Sequence, residues 1–149
     1  MHQELETFLA GWEDNAQKVK KSFVLLRNYL ADKADLSFIF KARPGVSYSL
    51  RAKHTLQTKR ELFVIMDVID EPGNRWLSIC FYPDMITDPE DKGVLIPLGL
   101  LGEDGYCFDF EEWDEKYLQY LLARVDEAHE SALKELAERK EHSAERRER

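Results

Sequence analysis

The 149-residue sequence has only two cysteines and no long apolar run, and each shortage excludes a class of protein. Its two cysteines, Cys80 and Cys107, are too few for a scaffold held together by disulfides. No apolar stretch approaches the roughly 20 residues that span a bilayer. The first ten residues carry Glu4 and Glu6 and lack a basic start, so no secretory signal is expected. The sequence therefore predicts a cytoplasmic protein with no membrane partner.

Positive charge is also scarce, since 21 Lys and Arg stand against 29 Asp and Glu and the net charge is −8. This balance disfavours nucleic acid as a partner, because affinity for it depends on neutralising phosphates. The length is typical of one domain. We predict a single α+β domain over residues 1–137. Residues 138–149 contain no large apolar side chain and are predicted to be a charged tail, either a helix end or disordered.

The first thirty residues carry an apolar stripe with a period of 3.5, which predicts one long amphipathic helix. Gly11 lies inside it and marks a point where the helix can break. The stripe has spacings of 4 and 3 in alternation and consists of Leu5, Leu9, Trp12, Ala16, Val19, Phe23, Leu26 and Leu30.

The middle of the chain changes to a period of two, which is typical of half-buried strands. Residues 36–43 and 46–53 alternate around Pro44-Gly45 and predict an antiparallel hairpin. Residues 62–69 and 76–82 flank a second turn. Short edge strands are predicted at 94–98 and 106–108. Asp109, with Glu112 three residues later, predicts the N-cap of a long C-terminal helix.

This order of elements predicts an α+β fold in two layers, with an antiparallel meander of four to six strands packed by long N- and C-terminal helices. At the level of element order the chain is similar to frataxin-like domains, in which a meander also lies between two long helices. The similarity implies a fold and no chemistry.

Acidic residues crowd the segment from 84 to 115, which raises the possibility of a divalent metal site. The candidate ligands are Asp84, Asp88, Glu103, Asp104 and Asp109. Their spacing does not match an EF-hand loop. The alternative interpretation is a solvated acidic surface around a helix start.

Residues 41–60 contain six cations and no carboxylate, so the excess negative charge lies in the rest of the chain. The alternation places four of these cations on one face of the first hairpin, with a histidine nearby. Such a face suits a phosphate, a carboxylate or an acidic protein, or it protects the strands from edge pairing. The candidate anion- or partner-binding residues are Lys41, Arg43, Arg51, Lys53 and His54.

No motif of nucleophilic, phosphate-binding or zinc chemistry is present, and no cofactor is predicted. The leading hypothesis is a non-catalytic binding or interaction module that associates with itself. The alternative is a small enzyme or a divalent-metal-binding protein that uses residues 84–115. These hypotheses differ in whether the acidic side chains converge and whether the open sheet face forms a pocket.

Self-association is predicted from the length of the apolar stripe. As one helix the stripe would extend about 38 Å, whereas a strand of ordinary length covers about 20 Å. Part of the stripe would then overhang the sheet and need cover. We predict a homodimer through the N-terminal helix. The alternative is that the C-terminal helix covers the stripe within the same chain.

Overall fold

The computed structural model describes the backbone of residues 2–71 and 73–148 and the side chains of residues 3–71 and 73–141. It is an α+β fold with three helices and an open six-stranded antiparallel sheet in the order β1-β2-β3-β4-β6-β5. No helix in the described part of the chain is long and apolar enough to span a bilayer. The elements are α1 (His2–Gly11), α2 (Val19–Ala31), β1 (Leu36–Arg43), β2 (Ser47–His54), β3 (Val64–Glu71), β4 (Asn74–Phe81), a short 3-10 helix (Pro83–Met85), β5 (Val94–Leu100), β6 (Glu103–Phe110) and α3 (Glu115–Glu148).

The N-terminal segment forms two helices, so the chain breaks at the point that Gly11 marked and does not continue as one long helix. The first helix ends at Gly11. The second begins after Asp14, whose carboxylate accepts hydrogen bonds from the backbone N–H groups of Lys20 and Lys21 at 3.1 and 3.2 Å. Lys18, just before α2, has a left-handed backbone with φ 56°. A carboxylate that caps free N–H groups stabilises a new helix start.

The break changes the argument for a dimer. Seven of the eight stripe residues are buried in the chain's own core, and Ala16 lies exposed between the helices. The predicted overhang is therefore absent, and the homodimer through the N-terminal helix stays a prediction without it. The buried residues are Leu5, Leu9, Trp12, Val19, Phe23, Leu26 and Leu30.

The first four strands form the predicted meander. Phe40 pairs with Leu50, Leu50 with Met66, and Met66 with Ile79. Cross-strand partners share a face of the sheet, and this row lies in the hydrophobic core together with side chains from all three helices. The alternation of each strand therefore sends the neighbouring positions, many of them polar, to the opposite face. We call that opposite side the open face.

The last two strands differ from the prediction. The sixth strand pairs with β4 and with β5, so it is internal, whereas β5 is at the edge. Asp109 pairs with Ser78 inside the sheet and is not the N-cap of the last helix. Asp114 takes that role, because its Oδ1 accepts a hydrogen bond from the backbone N–H of Tyr117 at 3.1 Å. The final helix then continues to Glu148 and includes most of the predicted tail.

Candidate functional site

A groove of about 1310 Å³ lies between α1 and the β1–β2 hairpin. We call it the basic groove, because four cations and one carboxylate, Glu4, line it. Its cations are Lys41, Arg43, Arg51 and Arg75. Three of the five residues predicted to bind an anion therefore lie in one concavity.

The strand register explains why these cations meet. Lys41 pairs with Ser49, and Arg43 pairs with Ser47, so the two cations occupy successive rows of the open face. Arg51 follows Ser49 at the next position on the same face. The Arg43 Nη2 donates to Ser47 Oγ at 3.2 Å, and the Arg51 Nε donates to Ser49 Oγ at 3.3 Å. The two serines hold the guanidinium groups at the sheet surface.

Lys41, Arg43 and Arg51 make no ion pair with the side chains that the structure describes. Other cations near the groove do form ion pairs with described carboxylates. Lys53, for example, lies 3.0 Å from Glu61 and outside the groove lining. The Lys53 hydrogen bond lowers the pKa of the Glu61 carboxyl. Lys53 is therefore engaged within the chain, unlike the three groove cations.

His54 does not join the cations, so its prediction as part of that cluster is wrong in geometry. Adjacent residues of a strand point to opposite faces, and His54 therefore lies on the helix side, 3% exposed. Its Nε2 lies 3.1 Å from Nδ1 of His129 on α3. Burial lowers the pKa of both imidazoles. The pair connects β2 to α3 and takes no part in the groove.

The aromatic wall of the groove was not foreseen from the sequence. Phe8 of α1 stacks on Tyr48 of β2 with ring centroids 4.1 Å apart. The Arg75 guanidinium lies 5.2 to 5.4 Å from the rings of Phe8, Trp12 and Tyr48. Its Nε also lies 2.9 Å from Asp70 Oδ1. Arg75 is thus held by cation–π contacts and an ion pair, and it completes the groove from β4.

Asp67 lies beside Ser49 on the open face and was also missed. Burial raises the pKa of its carboxyl, although Arg51 and Arg43 act in the opposite direction. Its Oδ1 has no hydrogen-bond partner among the described residues. The sequence signal for this residue was a single aspartate within the apolar run of β3, at an alternation position on the same face of the sheet as Arg51.

The structure brings two of the five acidic residues predicted as metal ligands together and places the other three elsewhere. Asp84 and Glu103 both form ion pairs with Arg60, the latter at 3.3 Å from its Nε. Asp109 is exposed in β6 on the open face, and Asp104 Oδ1 accepts from the backbone N–H of Leu98 at 3.0 Å. Across residues 3–71 and 73–141 no group of three or more potential metal ligands is present. The metal site stays a prediction, and the geometry offers no support for it.

Asp88, the fifth of these residues, holds the loop before β5. It accepts hydrogen bonds from the hydroxyls of Tyr106 and Tyr120 and from the backbone N–H groups of Lys92 and Gly93. These donors hold the pKa of the Asp88 carboxyl far below its usual range, against the effect of burial. The carboxylate is a structural acceptor.

The two cysteines form a disulfide across neighbouring strands. Cys80 of β4 and Cys107 of β6 are register partners with Cα atoms 4.1 Å apart. The spacing of the two cysteines along the chain does not predict this bond, which depends on the pairing of β6 with β4. Neither sulfur is then a thiol nucleophile.

No protein-family model, no curated protein and no solved structure matches the chain. The likeness to frataxin-like domains therefore remains one of element order. The assignment of a function depends on the residues of the groove.

Proposed function

We propose that the protein is a non-catalytic binding module that takes an acidic segment of a partner protein into the basic groove. The observation that carries this proposal is that Lys41, Arg43 and Arg51 form no ion pair with any side chain in the described ranges 3–71 and 73–141. Unpaired guanidinium groups of this kind bind carboxylates in bidentate geometry. The proposal includes a two-layer arrangement in which the helices cover one face of the sheet, and the ligand lies at the β1 edge, where residues of both faces and of α1 line the groove.

The size and chemistry of the groove favour a peptide segment over a small free anion. Its volume of about 1310 Å³ exceeds the roughly 300–1,000 Å³ of small-molecule pockets. Phe8 and Tyr48 add an aromatic wall on the helix side of the same groove, across the β1–β2 hairpin from Lys41, Arg43 and Arg51. A segment that combines carboxylates with apolar or aromatic side chains would contact both. Electrostatic attraction would then determine orientation and association rate, and the aromatic wall would add contact area.

Nucleic acid is the less favoured polyanion. The net charge of −8 opposes the approach of a phosphate chain. An extended peptide with one carboxylate per residue carries one charge per roughly 3.4 Å, about half the density of duplex DNA, so the general repulsion is weaker than for a duplex.

The test is a fluorescence-anisotropy titration with a labelled peptide of eight glutamates and two aromatic residues, which we call the octaglutamate peptide. We expect saturable binding that weakens as salt is added. The variant Arg43→Ala/Arg51→Ala should bind about tenfold more weakly or worse, which corresponds to a loss of about 1.4 kcal/mol. Folding should change little, because Arg43 is exposed, Arg51 is half-buried, and each makes one hydrogen bond to a serine of its own hairpin.

The matched control is Lys116→Ala/Lys134→Ala, which removes two exposed cations from α3 and changes the net charge equally. It should bind as the native protein does. Equal weakening in both double variants would mean that only net charge matters and would contradict a groove site. A single-stranded oligonucleotide that outcompetes the peptide would replace the proposal with nucleic-acid binding.

A further inference from the structure

The basic groove follows an edge of the sheet and does not lie over one of its faces. Four successive residues of β1, residues 40–43, line it. Because the side chains of a strand alternate between the two faces, a cavity over one face would be lined by every second residue. The groove therefore includes both sides of β1 and the backbone between them. In the described part of the chain, β1 pairs with β2 alone, so its other edge is free.

The hydrogen bonds of the first hairpin show which backbone groups of β1 face the groove. The carbonyl of Asp35, directly before β1, accepts from the N–H of Thr55, directly after β2, at 2.8 Å. The register between the strands is unbroken over residues 36–43. Since bonded and non-bonded positions alternate in an antiparallel pair, the odd-numbered residues of β1 bond to β2. The N–H and C=O groups of Phe40 and Ala42 therefore point away from β2 and toward the groove.

The free edge of β1 lacks the backbone features that block the addition of a strand. It is eight residues long and contains no proline and no bulge. The opposite edge of the sheet differs, because β5 contains Pro97 and pairs irregularly with β6. No backbone group in the described ranges outside β2 bonds to Phe40 or Ala42. Free N–H and C=O groups in a row are a template for another strand.

The two sides of this edge differ in chemistry. Lys41 and Arg43 are exposed on the open face and form no ion pair with a described side chain. Phe40 lies on the helix side, where the ring of Phe8 is 5.6 Å from its own. Cations on an edge strand oppose pairing with an ordinary strand, but they favour one that brings carboxylates to the same face.

From this geometry we infer that the acidic segment of the partner binds as an added strand beside β1, with carboxylates and apolar side chains in alternation along its sequence. The inference rests on the proposed function and specifies how the partner is held. The backbone of the added strand would bond to Phe40 and Ala42. Its alternate side chains, about 6.7 Å apart on one face, would match the spacing of Lys41 and Arg43. The apolar side chains between them would lie beside Phe8.

Two peptides of equal composition test the predicted alternation. Each has four glutamates and four valines, which alternate strictly in one peptide and form two blocks in the other. Both carry the same charge, so electrostatic attraction alone would give them the same affinity. The alternating peptide should bind at least about tenfold more tightly, because it alone satisfies the edge and both faces together. Equal affinities would overturn the inference.

Methylation of the peptide backbone tests the main-chain contact. In an added strand every second N–H faces β1, so these groups belong either to the valines or to the glutamates. N-methylation of the set that faces β1 should weaken binding at least about tenfold, and N-methylation of the other set should leave it nearly unchanged. Native-like affinity of both methylated peptides would mean that only side chains make the contact.

Amide hydrogen exchange reports the same contact from the side of the protein. With the alternating peptide bound, the N–H groups of Phe40 and Ala42 should exchange at least about tenfold more slowly. The N–H of Lys41, which faces β2, should change little. The variant Ala42→Pro removes one N–H of the edge and should weaken binding, whereas its control Ala42→Val retains the N–H and should bind as the native protein does. If Ala42→Pro does not fold, exchange in the native protein decides, and unchanged rates at both residues would overturn the inference.

The octaglutamate peptide separates this inference from the proposed function. If the groove variant Arg43→Ala/Arg51→Ala weakens its binding while the alternating and block peptides bind equally, only the added strand is overturned. Native-like binding of the octaglutamate peptide by the groove variant would overturn the proposed function and, with it, this inference. Slow exchange at Phe40 and Ala42 without peptide, in a sample that sediments as a dimer, would show that a second copy occupies the edge and would also overturn the inference.

Discussion

Removal of the Cys80–Cys107 disulfide should destabilise the protein by about 3.5 kcal/mol. The two residues are 27 positions apart, and closing a loop of that length in the unfolded chain corresponds to about 3.5 kcal/mol at 25 °C in the chain-entropy treatment. The loop contains the segment around Asp88 and the whole of β5, which has little buried side-chain area. We therefore expect the bond to stabilise the protein mainly by restricting the conformations of this segment in the unfolded chain.

The assay is urea unfolding of the native protein with and without reductant, next to the variant Cys80→Ala/Cys107→Ala. The native protein should lose about 3–4 kcal/mol of unfolding free energy on reduction, and the variant should be insensitive to reductant. Thiol titration of the unreduced, denatured protein should find no free thiol. Two reactive thiols and an unfolding curve that reductant leaves unchanged would refute the reasoning.

The thiol titration also tests the predicted cytoplasmic location of the protein. Disulfides persist in oxidising compartments and are rare in the cytosol. The prediction of a cytoplasmic protein came from the composition of the first ten residues and from the shortness of the apolar runs, and neither observation concerns redox state. A stable bond in protein purified without oxidant would weigh against that prediction.

Three further predictions concern stability. The free energy of unfolding should fall as the pH drops below about 6.5, because burial lowers the pKa of both His54 and His129 and the unfolded chain then binds more protons than the folded one. In urea unfolding at several pH values, His129→Gln should reduce this dependence of stability on pH. Asp88→Ala should lower the free energy of unfolding by about 1–3 kcal/mol, because it leaves the hydrogen-bond donors without their acceptor. A thermal midpoint equal to that of the native protein would contradict this and would mean that water replaces the carboxylate. Gly93→Ala should cost about 1–3 kcal/mol, because a Cβ there would lie 2.9 Å from Phe108 Cε1, and an unchanged thermal midpoint would contradict this.

Local patterns predicted the local part of the fold. Alternation around Pro44-Gly45 specified the first hairpin, because side chains of a strand alternate whatever the rest of the chain does. The 3.5 period identified the core-facing residues of the N-terminal segment, although not its break. That break depends on the cap supplied by Asp14, and an apolar period continues across a short turn without showing it.

Long-range pairing was less accessible to sequence reasoning. The insertion of β6 between β4 and β5 moved Asp109 from a helix cap into the sheet and brought Cys107 to Cys80. Nothing in the spacing of these residues specifies which strand they pair with. The misplaced helix start and the missed disulfide have this one cause.

The residues of the candidate site also divide into those that a local pattern predicts and those that depend on long-range pairing. Lys41, Arg43 and Arg51 follow from alternation within one hairpin. Arg75 reaches the groove through the register of β3 with β4 and through its contact with α1. Such contacts depend on the docking of separate elements, which a single sequence does not specify.

The most direct test of the basic groove as a binding site is a ¹H–¹⁵N NMR titration of the native protein with the octaglutamate peptide. The account predicts saturable shifts in residues 41–43 and 48–51 and in the exposed side of α1, with little change in α3 beyond residue 120. Shifts confined to other surfaces, or none at saturating peptide, would contradict it.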